Sequence, residues 1–307
     1  MSGSDQATAG EFLRGRLVAV LNTGSGSCNE RSTDEVRAIF QARGLGQGKI
    51  VSAAVTEIDA ALEGAAKSAD VLVVLGGDGT IRTAIEKLGD SRARLIPLPG
   101  GTMNMLPKAL YGQRVWQEAL GDTLDHPDLH RVSGGRAGEH SFFVAALLGA
   151  PTLWADAREA ARLGHGLEAA KRAITAARRS LTEPLEYLFD DRIRGTAEAV
   201  AVVCPLISRA MDEDERRLEA AAIKTKTAAE ALRLGFHALF DDWRADPAIS
   251  CSTAKTITVT GHGRVPVILD GERVRMGRSV TIRFVPVAFE ALVPMEREVA
   301  PNAAANP

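Results

Sequence analysis

Short uninterrupted apolar runs alternate with charged stretches of helical period through the first third of the chain. Residues 16–22 (RLVAVLN) are an apolar run beside glycine, the pattern of a buried strand. A charged amphipathic stretch follows over 29–43, and Gly44 predicts its stop. Residues 49–55 predict a second strand and 58–67 a second helix. Residues 71–75 (VLVVL) are the most strand-like run of the sequence and lead directly into glycines. A further strand over 95–98 ends at Pro99-Gly100-Gly101. Strand and helix alternating at this spacing predict parallel βαβ units in an open, doubly wound sheet. Ligands of such sheets lie beyond the carboxyl ends of the strands, and each glycine-rich segment stands at such an end.

The pattern changes after residue 128. Residues 129–136 and 140–147 predict two strands joined by a glycine-containing turn. A helical region over 154–181 is interrupted at Gly164-His165-Gly166. Its second half puts Leu167, Ala170, Ile174, Ala177 and Leu181 on one face, with Lys171, Arg172, Arg178 and Arg179 off that stripe as a solvated flank. Strands are expected at 185–189 and 198–203, a helix at 225–244, and a series of short β runs over 256–293. The second part is therefore a mostly antiparallel β lobe with attached helices.

Composition narrows the class without naming it. A chain of 307 residues is long enough for two cores. With 37 basic and 39 acidic residues the net charge is −2, which offers no global attraction to nucleic acid or to anionic lipid. Cys28, Cys204 and Cys251 form no CxxC pair, so neither a disulfide framework nor a zinc site is expected and a reducing compartment is the simpler reading. The six histidines lack ligand spacing. No apolar run approaches the roughly 18–20 residues that span a bilayer. Residues 1–10 read as a polar leader without the apolar stretch of a signal peptide, and 299–307 as a loose end. The expectation is a cytoplasmic protein, in which any membrane contact is reversible and on the cytoplasmic face.

Three loops carry the candidate chemistry. Gly76, Gly77, Asp78, Gly79 and Thr80 follow a buried strand and precede a helix expected near Ile81. Glycines let backbone N–H groups approach an anion, and a helix N-terminus adds positive partial charge. Asp78 suits this setting if it orients a donor or meets Mg²⁺; otherwise it is only a turn former. Thr80 can cap the helix or donate to phosphate. The loop Asn22-Thr23-Gly24-Ser25-Gly26-Ser27 leaves the first strand, but a dinucleotide fingerprint would need glycine where Asn29 stands. Gly48-Lys49 is followed by Ile50, so there is no P-loop. In Gly101-Thr102-Met103-Asn104, Thr102 and Asn104 can hydrogen-bond phosphate or ribose, or one of them can serve as an N-cap. Three such loops at the carboxyl ends of one sheet point to phosphate binding.

These loops, together with the late Asp270-Gly271-Glu272, occur in the order found in the diacylglycerol kinase catalytic-domain family, which the chain resembles over nearly its whole length. That family includes bacterial lipid kinases and sphingosine kinases and is distantly related to NAD kinases and phosphofructokinases. The resemblance implies an α/β N-terminal lobe with a mostly parallel open sheet over 11–127, rejoined by 287–300. It implies a mostly antiparallel β-sandwich lobe with attached helices over 128–286, with ATP and lipid meeting in the cleft between the two. It further implies ATP and Mg²⁺ as cofactors, Asp78 as a metal-binding residue, and Glu272 as the base with Asp270 orienting or assisting it. The implied partners are a lipid alcohol, a transiently contacted inner membrane face and a second copy of the chain. Two departures stand out. Met105 replaces the acid that usually follows Asn104, and Met211-Asp212-Glu213-Asp214-Glu215-Arg216-Arg217 replaces an Asp-Gly pair near which some relatives hold a structural metal. An NAD kinase and a non-catalytic nucleotide- or lipid-sensing protein are the competing readings.

Overall fold

The computed structural model describes residues 13, 15–89, 91–149, 184–212, 215–224, 244 and 246–295. The expected helix over 154–181, the expected helix over 225–244 except Arg244, and both chain ends lie outside the described residues. The chain divides into two compact units, Met1–Arg131 with Phe289–Pro307, and Val132–Ala288.

In the first unit, strands β1 (Leu17–Asn22), β2 (Lys49–Ala53), β3 (Val71–Gly76) and β4 (Arg94–Pro99) run parallel in the order β2-β1-β3-β4. Every residue of β1 and β3 is buried, which is why both read as continuous apolar runs without alternation. Helices α1 (Ser32–Ala42), α2 (Ile58–Ala66), α3 (Asp78–Leu88), α4 (Met105–Tyr111) and α5 (Trp116–Asp125) connect them. Gly44 takes φ +69° just beyond α1, the left-handed stop its position predicts. The C-terminal return adds one more parallel strand, with Ala291 opposite Leu95 of β4. The buried Tyr111 hydroxyl donates to the Leu292 carbonyl of that return at 3.3 Å.

The second unit is built of antiparallel strands. Those up to β9 are β5 (Pro127–Ala137), which begins in the first unit, β6 (His140–Phe142), β7 (Ala145–Gly149), β8 (Leu185–Phe189) and β9 (Ile193–Ala197). There follow β10 (Ala199–Val203), β11 (Leu218–Ile223), β12 (Ile249–Ala254), β13 (Thr256–Thr260), β14 (Pro266–Leu269), β15 (Glu272–Arg275) and β16 (Ser279–Pro294). One sheet has the order β12-β11-β10-β7-β14-β15; the other joins the first residues of β16 to β13, β8 and β9. Alternate residues face inward: Ala146 and Leu148, Val200 and Val202, Val267 and Leu269 from one sheet, and Leu185, Tyr187, Phe189, Ile257 and Val259 from the other. They share one core, so this unit is a β-sandwich.

Several expectations are corrected. The strand expected over 140–147 is two strands, broken at Phe143-Val144. The last two β runs are one strand of 16 residues that passes straight through Pro286. Helix α5 was not among the expected elements although Trp116, Ala119, Leu120, Thr123 and Leu124 recur at helical spacing, whereas strands β9 and β11 carry no clear signal in the sequence. β9 is mostly exposed, and β11 (LEAAAI) is alanine-rich, a composition that favours helix.

β11 also carries Glu219, a carboxylate only 2% exposed inside the sandwich unit. It accepts from Arg244 Nε at 2.6 Å and Nη2 at 2.7 Å, and from Ser208 Oγ at 2.6 Å. Removing the guanidinium leaves a buried charge with one neutral donor. Arg244→Met is therefore expected to lower unfolding stability by about 3 kcal/mol, read as a shift of the urea midpoint. An unchanged midpoint would show the pair to be dispensable.

Candidate active site

The three glycine-rich loops of the first unit form one hydrogen-bonded assembly. Asn22, the last residue of β1, donates from Nδ2 to Thr80 Oγ1 at 2.8 Å and accepts from Gly24 N at 3.0 Å. That ties the first loop to the opening turn of α3. Ser27 N donates to the Gly100 carbonyl at 2.8 Å, and Gly100 N to the Gly76 carbonyl at 2.9 Å. These close approaches require glycine. A Cβ on Gly100 would lie 2.7 Å from Gly76 N, and one on Gly101 would lie 2.7 Å from Gly77 Cα. Asn104 locks the third loop from a left-handed conformation (φ +50°) that asparagine tolerates. Its Oδ1 accepts from Gly101 N and its Nδ2 donates to the Gly101 carbonyl, both at 2.7 Å.

Several roles expected for these side chains change. The helix α3 begins at Asp78, not near Ile81, and its cap is Gly77 with no side-chain capping bond, so Thr80 is not a cap. The Thr80 hydroxyl instead accepts from Asn22. Asn104 directs both polar ends at Gly101. Asp78 Oδ1 accepts from Leu106 N at 3.2 Å, satisfying one of the orphan donors in the first turn of α4. Gly79 lies within that first turn of α3, its carbonyl accepting from Thr83 Oγ1 at 3.0 Å. Thr102 is exposed.

Other positions are not accounted for by the protein's own packing. A Cβ on Gly77 would meet only Gly101 Cα, at an ordinary 3.5 Å, and one on Gly26 would meet nothing. The Ser25 hydroxyl oxygen is buried without a hydrogen-bond partner. The interlocked glycines thus frame a small region where side chains are missing for no internal reason.

Asp270 and Glu272 belong to the second unit. Leu269 pairs with Glu272, and Asp270 (φ +47°) and Gly271 (φ +85°) form a two-residue hairpin turn. The Asp270 carboxylate accepts from Phe143 N at 2.8 Å, Val144 N at 2.9 Å and Ala145 N at 3.0 Å. Its own N–H donates to the Ala145 carbonyl at 2.9 Å. Asp270 is therefore an anchor that pins the hairpin to the break between β6 and β7. Glu272 follows at the start of β15 and is exposed. Burial, and next the charge of Asp270, push the neighbouring Cys204 thiol well up, so that it is a packing residue and not a nucleophile. Asp190 repeats the device: with φ +47° it accepts from Lys255 N at 2.8 Å and Thr256 N at 2.9 Å, and it pairs with Arg217. No feature of the sequence marked it.

A magnesium ion in a phosphoryl-transfer site takes one or two carboxylates and fills its remaining positions with phosphate oxygens and water. The loops of the first unit offer one carboxylate, Asp78, with one oxygen engaged by Leu106 N–H. Met105, which follows Asn104, adds none. Among the described residues no three His, Cys, Asp or Glu side chains cluster to hold a metal. These donors fit an ion that arrives with its phosphates and takes one protein oxygen, not a dedicated cage. Of the acidic stretch over 211–217, Met211 is buried, Arg217 pairs with Asp190, and 213–214 lie outside the described residues.

Residues 16–137 match the diacylglycerol kinase catalytic domain. A solved diacylglycerol kinase structure from Bacillus anthracis str. Sterne is 18% identical with a TM-score of 0.65, over 91% of this chain and 96% of that one. Another structure from the same organism, assigned as a diacylglycerol kinase, is 17% identical with a TM-score of 0.67, over 91% of this chain and 97% of that one. At these identities the likeness is one of fold. No curated protein matches the sequence. Among the described residues no helix is long and apolar enough to cross a membrane.

The anchoring role of Asp270 is testable apart from any activity. Asparagine keeps the size but presents one acceptor where three amides converge. Asp270→Asn is expected to cost about 1–3 kcal/mol of stability, seen in urea unfolding, whereas Glu272→Gln leaves stability unchanged. Equal midpoints for Asp270→Asn and the parent chain would remove the anchor.

Proposed function

We propose that this chain, whose residues 16–137 belong to the diacylglycerol kinase catalytic-domain family, is an ATP-dependent kinase that phosphorylates the hydroxyl of a lipid alcohol, diacylglycerol or a close relative. The observation that carries the reading is the contrast among the glycines. Gly100 and Gly101 are needed for the loops to touch, whereas the missing side chains of Gly77 and Gly26 leave room that the protein itself does not use. Backbone N–H groups beside such room, at the start of a helix, suit the oxygens of a nucleotide's phosphates.

In this reading the loop amides and the start of α3 position the phosphates, and the Ser25 hydroxyl donates to one of them. Asp78 contributes the protein's oxygen to Mg²⁺, which when bound offsets negative charge on the phosphate chain. Phosphoryl transfer depends mainly on positioning and charge neutralisation, but the attacking hydroxyl must lose its proton. Glu272 is the acceptor of that proton, and Asp270 holds the hairpin that presents it. A lipid acceptor entails transient contact with a membrane surface.

The decisive assay incubates the full chain with γ-labelled ATP, Mg²⁺ and a panel of lipid alcohols, with NAD as a control. Labelled NAD without labelled lipid would replace this reading by an NAD kinase. Glu272→Gln is expected to reduce turnover by roughly 10²–10⁴-fold with ATP binding nearly unchanged; near-normal lipid phosphorylation would move the base elsewhere. Gly77→Ala is expected to fold normally yet bind ATP more weakly, because its Cβ occupies room meant for phosphate. Met105→Asp is expected to lower the Mg²⁺ concentration for half-maximal rate, and no change would mean that position 105 has no part in metal handling.

A further inference from the structure

We infer that the cavity at the junction of α4 and α5 is an anion pocket in which Lys108 holds the polyphosphate of the nucleotide, so that a protein cation shares the neutralisation of charge. The inference rests on the nucleotide reading above and adds to it a residue and a ligand chemistry.

The cavity measures about 330 Å³ and lies wholly in the first unit. Ser27 and Asn104, from two of the glycine-rich loops, form part of its wall, so it borders the hydrogen-bonded loop assembly. The remainder comes from Lys108 of α4 and from the segment that leads into α5, including Gln113, Arg114 and Trp116. No lining residue is acidic.

The two cations are not equivalent. Arg114 is already engaged, with Asp122 at 3.3 Å and the Tyr111 carbonyl at 2.8 Å. Lys108 is exposed, and among the described residues its ammonium has neither an ion-pair nor a hydrogen-bond partner. Helix α5, ten residues long, starts at the same wall behind Val115, with no side-chain cap for its first-turn amides. Gln117, which could have folded back on them, instead donates to Glu35 at 2.8 Å. An unpaired ammonium, an engaged guanidinium and an uncapped helix start line a space whose wall has no carboxylate, an arrangement that attracts negative charge.

Helix α4 explains why the cation matters here. Met105 and Lys108 stand three residues apart and so share a face of the helix. A thioether at 105 contributes no metal ligand, so this face of the helix presents net positive charge. Direct neutralisation by Lys108 compensates for a metal site with a single protein carboxylate.

Calorimetric titration of the full chain with ATP, inorganic tripolyphosphate and adenosine tests this. Lys108→Met is expected to weaken both ATP and tripolyphosphate about tenfold, as for loss of one charge-assisted hydrogen bond. Adenosine affinity should be unchanged, and Lys108→Arg should recover most of the loss. The salt dependence of ATP binding should also flatten in Lys108→Met, since one fewer protein charge takes part. Equal ATP and tripolyphosphate affinities for Lys108→Met and the parent chain would overturn the pocket while leaving the nucleotide reading intact. Tripolyphosphate bound in a Lys108-dependent way by a chain that ignores ATP would overturn the nucleotide reading and keep the pocket. Binding of neither would overturn both.

Discussion

Two stretches of backbone touch where β3 and β4 end. Gly100 N reaches the Gly76 carbonyl at 2.9 Å, and a Cβ on Gly100 or Gly101 would stand 2.7 Å from the facing chain. Contacts that short exclude any side chain, and the other features of the glycine-rich loops depend on them. Because Gly101 sits against Gly77, Asn104 can close the third loop on the Gly101 amide and carbonyl. Once that loop is closed, α4 starts where the Asp78 carboxylate reaches Leu106 N. Ser27, bound to the Gly100 carbonyl, brings the first loop to the same place. Three segments separated widely in sequence thereby behave as one rigid surface, and rigidity is what a catalyst by positioning requires.

Carboxylates in the second unit serve the same end by another route. Asp270 and Asp190 each occupy a left-handed position at a hairpin turn, and each gathers amides from a neighbouring strand. Backbone N–H groups satisfy much of such an anion, and Asp190 adds an ion pair with Arg217. It also fixes the hairpin against a second strand, so that the turn is held by more than its own ladder. For Asp270 the consequence is local: the residue two positions later, Glu272, starts its strand from a fixed point.

The parts of this architecture legible in the sequence are those governed by near neighbours. The strands β1 and β3 announced themselves as apolar runs because they are buried throughout, and Gly44 marked the end of α1 by its own conformational freedom. The glycine-rich loops were visible because few side chains fit where backbones meet. What escaped reading depends on distant partners. The anchoring contacts of Asp270 were hidden because the amides it binds lie 125 to 127 residues earlier in the chain. Nothing local shows that the Asn104 amide turns back on Gly101. β11 was invisible because LEAAAI has helical propensity, and strand pairing with β10 and β12 overrides it. Lys108 drew no notice because an isolated lysine on a helix is ordinary until a cavity beside it, without an acid in its wall, gives it a partner to seek.

The balance of charge around the loops follows from these constraints. A polyphosphate needs several positive charges, and a protein can supply them through a bound metal, through basic side chains or through oriented amides. Where acids are plentiful the metal route dominates, because each carboxylate both binds the ion and repels bare phosphate. The first unit offers one loop carboxylate, and that one is half committed to the start of α4. With Met105 in place of an acid, repulsion falls as well as metal affinity, and the lysine one turn further along the helix can approach phosphate without competition. The thioether at 105 and the ammonium at 108 stand three residues apart in one helix, so that face carries a cation and no carboxylate.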